Sequence, residues 1–196
     1  MALNYVDERL YIKDSKNHLI LMTDFEFSLI KSVDYMVSTN EEFKGGGDMC
    51  FANSNLYLYH TDYKRVHVYS KDLEFIKFLK MKMDDIPWKI KISNSILFAQ
   101  STQGIHFYNL NDFSLIQRSS HGMCRMSKIN TNIYELNAET KKLFCYDQRG
   151  NLKEEANLTS FNQYITNIWD GAFVEFNGMI IMISWTNDKI IKFSKD

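Results

Sequence analysis

The sequence predicts an all-β chain in which one four-stranded antiparallel unit is copied about five times. Three observations carry that expectation. A common apolar pattern returns about every forty residues along the 196-residue chain. Its segments, such as Val66-His67-Val68-Tyr69 and Ile105-His106-Phe107-Tyr108, alternate over a few positions and are β-branched or aromatic, as strands are. Turns bearing Asn or Gly recur at one place within the copies.

The repeat is read from fixed offsets. Arg9-Leu10-Tyr11-Ile12 matches Asn55-Leu56-Tyr57-Leu58 at an offset of 46 residues. At that offset Ile20 falls on Val66, Met22 on Val68, Phe27 on Leu73, Leu29 on Phe75 and Ile30 on Ile76, without a gap. At an offset of 77, Leu56 falls on Ile133, Val66 on Leu143, Val68 on Cys145, Tyr69 on Tyr146 and Phe75 on Leu152. At an offset of 124, Leu56 falls on Ile180, Leu58 on Met182, Val66 on Ile190 and Tyr69 on Phe193. The remaining copy holds Ile96, Phe98, Ile105, Phe107, Tyr108, Phe113 and Leu115. The anchors Leu10, Leu56, Ile96, Ile133 and Ile180 are therefore spaced by 46, 40, 37 and 47 residues. Such periods suit propellers and some helical solenoids. A solenoid would need apolar residues at helical spacing over about a dozen positions, and the chain has no such run.

The second copy gives the elements in order. Its first strand lies near Met49 to Ala52, followed by an Asn53-Ser54-Asn55 turn. Its second is Leu56 to Tyr59, with a polar turn at Thr61 to Lys64. Its third is Arg65 to Tyr69, with Ser70-Lys71-Asp72 after it, and its fourth is Leu73 to Leu79. The first hairpin turn returns as Ser93-Asn94-Ser95, Asn130-Thr131-Asn132 and Asn177-Gly178. Four antiparallel strands per period of about forty residues make a propeller blade. Blades are expected at roughly 1–36, 48–80, 88–119, 123–157 and 172–196, in a single domain spanning 1–196.

A family resemblance sits on the first copy. Tyr11-Ile12-Lys13-Asp14-Ser15-Lys16-Asn17-His18-Leu19-Ile20 resembles the middle of an NHL-type blade. There a strand ends in Asp, a short turn carries Asn, and the next strand opens on an apolar pair. The other copies keep the strands but not the Asp and Asn: His60-Thr61-Asp62-Tyr63, Gln100-Ser101-Thr102-Gln103 and Asn137-Ala138-Glu139-Thr140. Over nearly its whole length the chain resembles divergent β-propellers of the NHL and quinoprotein-like kind, without the glycines and prolines of NHL repeats. It does not resemble a WD-repeat protein, because its Trp169-Asp170 pair precedes an inner strand instead of closing a third one.

The ends bear on closure. Met1 to Val6, turning at Asp7-Glu8, fits the inner strand of the first blade, and Asp196 follows the third strand of the fifth. An incomplete last blade leaves an edge that invites another strand. The chain is then a piece of a six- or seven-bladed propeller, a five-bladed ring without a full lock, or a ring completed by strand exchange or self-association with a partner or second copy.

Composition bounds the function classes. The chain is 45% hydrophobic and 14% aromatic, enough apolar surface for a folded domain and too much for disorder. With 23 Lys+Arg against 24 Asp+Glu, it carries no electrostatic footprint for nucleic acid or an anionic membrane. The basic cluster Lys77, Lys80, Lys82, Lys89 and Lys91 alternates with apolar residues and reads as the wet sides of strands. Met1 to Ser15 holds five charged residues and no signal-like apolar core, and the longest apolar run, Met179 to Ile183, is far too short to span a bilayer. Cys50, Cys124 and Cys145 cannot all pair and show no metal-ligand spacing, which points to a reducing, cytoplasmic setting. The Asn157-Leu158-Thr159 sequon is then a chance triplet.

No catalytic motif is present: GxSxG, HExxH, the P-loop and GxGxxG are all missing. Gly45-Gly46-Gly47 lacks a following Lys-Ser/Thr and helix, so it reads as a flexible connector before an inner strand. His67 and His106 share one blade position with Leu21, Phe144 and Ile191, which describes a half-buried inter-blade face more readily than a ligand ring. Glu41-Glu42, Asp84-Asp85 and Glu154-Glu155 read as solvated loop charge, although Asp84-Asp85 precedes Pro87-Trp88 near the expected channel mouth. No cofactor or metal set is convincing.

The inter-blade connectors, 33–47, 80–87, 117–122 and 158–170, gather on one face, where binding residues tend to lie. On that face Trp88, His121, Arg125 and Trp169 are the candidate binding residues, since Arg and Trp dominate interface energies. The bland alternative is that both tryptophans pack between blades. The expected function is a non-catalytic interaction module, a scaffold or adaptor that binds a protein or peptide. Two alternatives stay open: a propeller hydrolase or lactonase with a divalent cation in its channel, and a structural fragment of a larger propeller protein.

Overall fold

A computed structural model describes residues 2–4, 7–35, 47–61, 63–81, 87–119, 124–129, 132–137, 140–158, 172–176, 179–184 and 189–194. Every element among them is a strand. The first sheet holds β1 (Ala2–Asn4), β2 (Arg9–Asp14), β3 (Leu19–Thr23) and β4 (Leu29–Asp34), in that order. The second holds β5 (Met49–Ala52), β6 (Asn55–His60), β7 (Arg65–Ser70) and β8 (Phe75–Lys80). The third holds β9 (Lys89–Ser93), β10 (Ile96–Ser101), β11 (Gly104–Asn109) and β12 (Leu115–Arg118). The fourth holds β13 (Cys124–Ile129), β14 (Asn132–Asn137), β15 (Lys142–Tyr146) and β16 (Leu152–Asn157). The fifth has three strands, β17 (Ala172–Phe176), β18 (Met179–Ser184) and β19 (Lys189–Ser194). Each is an antiparallel meander, so the expected all-β propeller of about five blades with an incomplete last one is the fold found.

The chain divides into two compact units, Met1–Asn94 and Ser95–Asp196. In the first, β5 lies against β1 and β9; in the second, β13 lies against β10 and β17. Apart from β10, a second strand, these are the first strands of their sheets, so inner strands neighbour inner strands, as radial stacking requires. The first core gathers Tyr11, Ile20, Met22, Tyr35, Met49, Leu56, Leu58, Tyr69 and Leu73. The second gathers Ile96, Phe98, Ile105, Phe107, Met126, Ile133, Phe144 and Tyr146. Both mix residues of adjacent sheets, so the first and second blades cover each other's apolar faces, and the third and fourth do likewise. Each such side chain contributes about 1.5–3 kcal/mol by leaving water.

The four complete sheets share details that the sequence pattern alone does not display. A β-bulge shifts the register between third and fourth strands at Met22/Thr23, Val68/Tyr69, Phe107/Tyr108 and Cys145/Tyr146. These are equivalent positions in the repeat. A bulge bends its strand and raises local twist, which turns each outer strand the same way. The turn before the outer strand also recurs. Ser28, Glu74 and Asn151 each donate a backbone N–H to the side-chain oxygen of Asp24, Ser70 and Asp147, respectively.

One boundary differs from expectation. The fourth strand of the second copy begins at Phe75, not Leu73. Leu73 has φ 60° and is buried, its N–H donating to Ser70 O at 3.0 Å. Phe27 (φ 64°), which is exposed, Phe113 (φ 59°), which is buried, and Gly150 (φ 85°) donate the equivalent N–H in their blades. Apolar side chains in the left-handed region are costly, so buried packing must hold Leu73 there. A second difference concerns the outer strands. Both faces of β8 are wet, with Phe75, Ile76 and Phe78 exposed beside Lys77 and Lys80.

Candidate functional site

The connector ends of the first, second and fourth blades are built by one recurring contact, which the third varies with Ser119 N donating to Ile105 O at 2.8 Å. Tyr35 N donates to His18 O, Met81 N to Lys64 O, and Leu158 N to Lys141 O. A connector thus leaves its outer strand by bonding to the turn between second and third strands. His18, Lys64 and Lys141 all have positive φ, which swings each carbonyl to its place. The first connector also arrives in a fixed way. Tyr59 N donates to Asp48 O at 3.0 Å, and Lys13 Nζ donates to Gly47 O at 2.7 Å. A Cβ on Gly47 would overlap the Tyr59 carbonyl. The Gly45-Gly46-Gly47 run is therefore not slack at its last residue; Gly45 and Gly46 lie outside the described residues.

Of the four predicted binding residues, Trp88 alone is described with its surroundings. It is half-buried, between buried Pro87 and β9. Asp48 Oδ2 accepts from Ile90 N at 3.1 Å and lies 3.9 Å from Lys91 Nζ, which ties the segment after Trp88 to the second sheet. Arg125 occupies β13 opposite Leu136, and its side chain lies outside the described residues. His121 and Trp169 lie outside them altogether, as do Glu41-Glu42 and Asp84-Asp85. Glu154 and Glu155 are exposed on β16.

The seam between the first two blades carries chemistry that sequence reasoning passed over. His60 and His67 are 1% exposed, so the position expected to be half-buried is closed. Their rings lie 4.2 Å apart between centroids, tilted by 30°. Tyr35 meets His60 edge-on at 5.4 Å and His18 at 6.1 Å. Arg65 Nε donates to His67 Nε2 at 2.9 Å, while its guanidinium lies 4.4 Å from the Tyr63 ring centroid and 4.9 Å from that of Phe78. Burial pushes the His60 pKa down to about 3, with the charges of His67, Arg65 and Lys13 adding to it. Burial, then Arg65, lowers His67 to about 4. Both imidazoles are neutral at pH 7, as His67 Nε2 must be to accept from arginine. Burial and the charge of Asp34 push Tyr69 up to about 12. The available signal was the run Tyr59-His60-Thr61-Asp62-Tyr63-Lys64-Arg65-Val66-His67, dense in polar aromatics and cations.

The second unit holds the opposite chemistry. Glu135 is fully buried and accepts from Ser119 Oγ at 3.0 Å and Tyr146 OH at 2.6 Å. Ser119 Oγ in turn accepts from Ile105 N at 2.9 Å. Gln100 Oε1 accepts from Met126 N at 3.0 Å. These bonds stitch the third sheet to the fourth, and the Ser119 hydroxyl is occupied twice over. Among the described residues no three His, Cys, Asp or Glu side chains come together as metal ligands.

No family model matches the sequence, and no curated protein does either. Solved structures do match by fold. BamB from Moraxella catarrhalis superposes with a TM-score of 0.60 at 13% identity, over 98% of this chain and 56% of that one. Hsv2 from Kluyveromyces lactis gives 0.64 at 12% identity, over 95% and 57%. A virginiamycin B lyase from Staphylococcus aureus gives 0.60 at 11% identity, over 99% and 69%. The chain thus spans somewhat over half the length of BamB and Hsv2. Repeated four-stranded meanders, inner strands laid against inner strands, and three propeller neighbours of unrelated sequence lead to one conclusion: the chain is a divergent β-propeller.

Proposed function

We propose that the protein is an interaction module, one propeller domain over 1–196, that binds a protein or peptide on its connector face. The observation that carries this reading is the recurring anchor of the connectors. The connectors after the first, second and fourth blades start from the same backbone bond to a left-handed turn residue, and the third from a bond to Ile105 at the start of the third strand, so loops of unequal length are presented by a closely similar support. Loops held on a rigid frame are where binding surfaces form. Half-buried Trp88 stands beside such a connector and is the first anchor to examine, with His121, Arg125 and Trp169 completing the proposed face. A reducing, cytoplasmic setting, with Cys50 and Cys145 buried as thiols, belongs to the same proposal.

Capture with the wild-type chain and with a Trp88→Ala, His121→Ala double variant tests it. Quantitative mass spectrometry is expected to show partners lost from the variant while its melting curve is kept. Identical capture by both removes the connector face from consideration. A propeller enzyme with a channel cation is the second reading, suggested by the likeness to a lyase. Metal near one equivalent in purified protein, with a rise in Tm on adding calcium, would favour it instead.

A further inference from the structure

We propose that the Arg65 guanidinium is a carboxylate-binding site for an acidic side chain of an extended peptide that docks along β8. Three contacts hold the guanidinium: Nε on His67 Nε2, the Tyr63 ring at 4.4 Å and the Phe78 ring at 4.9 Å. None of them uses the terminal amino groups. Among the described residues those groups have no acceptor and Arg65 has no ion pair. A planar arginine fork held in this way matches a carboxylate through two parallel hydrogen bonds.

The fourth blade shows what Arg65 lacks. At the 77-residue offset Arg65 corresponds to Lys142, and Phe78 to Glu155. Lys142 pairs with Glu155 inside its own blade. The second blade keeps the cation but has an aromatic ring where the carboxylate would be. It also has a surplus of positive charge: Arg65 stands directly opposite Lys80, and β8 carries Lys77 and no acid. Like charges in register repel, and an incoming carboxylate relieves that repulsion.

The occupant's form follows from β8. It is the outermost strand of its sheet, and Phe75, Ile76 and Phe78 are 48%, 49% and 56% exposed. A peptide that adds a strand bonds through its main chain and reads alternate side chains. An alternating apolar and acidic segment presents its acids on the sheet face that Arg65 shares with His67 and Tyr69, and its apolar residues on the opposite face. The site is independent of the connector-face reading, since Trp88 takes no part in it.

The test follows the Arg65 Nε–Hε signal in the nitrogen-15 NMR spectrum of the full chain. The probes are blocked Val-Glu-Val-Glu-Val, its Gln counterpart and sodium acetate. The Glu peptide is expected to shift the signal saturably and to bind at least about tenfold more tightly than either other probe. Arg65→Lys, which keeps charge but not the fork, is expected to lose about tenfold. Phe78→Glu, which installs the carboxylate of the fourth blade, is expected to abolish binding with Tm unchanged or raised. Trp88→Ala is expected to bind as wild type. A Gln peptide that binds equally, an Arg65→Lys variant that binds undiminished, or a Glu peptide no better than acetate each overturns the proposal.

Discussion

The second and fourth blades are one backbone with two interiors. Both have the bulge at the same step and the same capped turn before the outer strand. Leu58 in one is Glu135 in the other, His60 is Asn137, and His67 is Phe144. The second blade tolerates its buried imidazoles because burial keeps them neutral. The fourth tolerates a buried carboxylate because two hydroxyls reach it. Hydrogen bonds of the main chain define the blade, and the same frame holds neutral imidazoles in one copy and a hydrogen-bonded carboxyl group in another.

That contrast can be broken most severely by transplanting the acid alone. Leu58→Glu places a carboxylate at the second-blade position equivalent to Glu135, where the tyrosine that corresponds to Tyr146, Tyr69, has its hydroxyl 3.5 Å from His67 Nδ1 instead. Urea unfolding is expected to show a loss of at least about 3–5 kcal/mol, the scale for a buried charge left uncompensated. Acid comes next. Above pH about 6.5 neither state binds protons on His60 or His67. Below it the unfolded chain does and the folded chain does not, down to folded values of about 3 and 4. Stability is therefore full above that pH and falls by up to about 1.4 kcal/mol per pH unit for each imidazole as pH drops. Denaturation at pH 7.0 and 5.5 checks this, and a His60→Phe, His67→Phe variant is expected to flatten the slope. Asp14, Asp112 and Asp147, whose carboxyls sit below their usual range, act only in stronger acid and leave that window clear.

Smaller effects sharpen the same comparison. Tyr146→Phe removes one of the two hydroxyls from Glu135 and is expected to cost about 2 kcal/mol by chemical denaturation. Ser70→Ala removes an acceptor for Asp72 N and Glu74 N in the second-blade turn. Its expected cost is about 1 kcal/mol, read as a lower urea midpoint with unchanged slope.

The repeat was legible because strand alternation and offset matching depend on local pattern. Leu10, Leu56, Ile96 and Ile133 anchor real second strands, each buried. Leu73 was misread because nothing in a leucine announces a left-handed backbone; the turn chemistry of Ser70 and a buried pocket impose it. The Arg65 clamp was missed for another reason. Alternation tells which residues share a strand face, not which ring of the neighbouring strand will meet it. Phe78 lies thirteen positions away and reaches Arg65 through register alone. Asn137 was passed over as a lost Asp, yet its Oδ1 accepts from Thr140 N at 2.7 Å and does the same capping as Asp14 on Asn17 N.

Gly150 ends the capped turn of the fourth blade, where the second has Leu73. A Cβ there would come within 2.8 Å of the Phe107 ring, so a neighbour's aromatic occupies the hollow that Leu73 fills with its own side chain. Residues 107 and 150 are consequently bound together in descent. A larger residue at 150 collides unless the ring has already shrunk, and a smaller residue at 107 leaves a hole unless 150 has already grown. Homologues that keep this blade should exchange the two as a pair, through intermediates that are rare because each is handicapped.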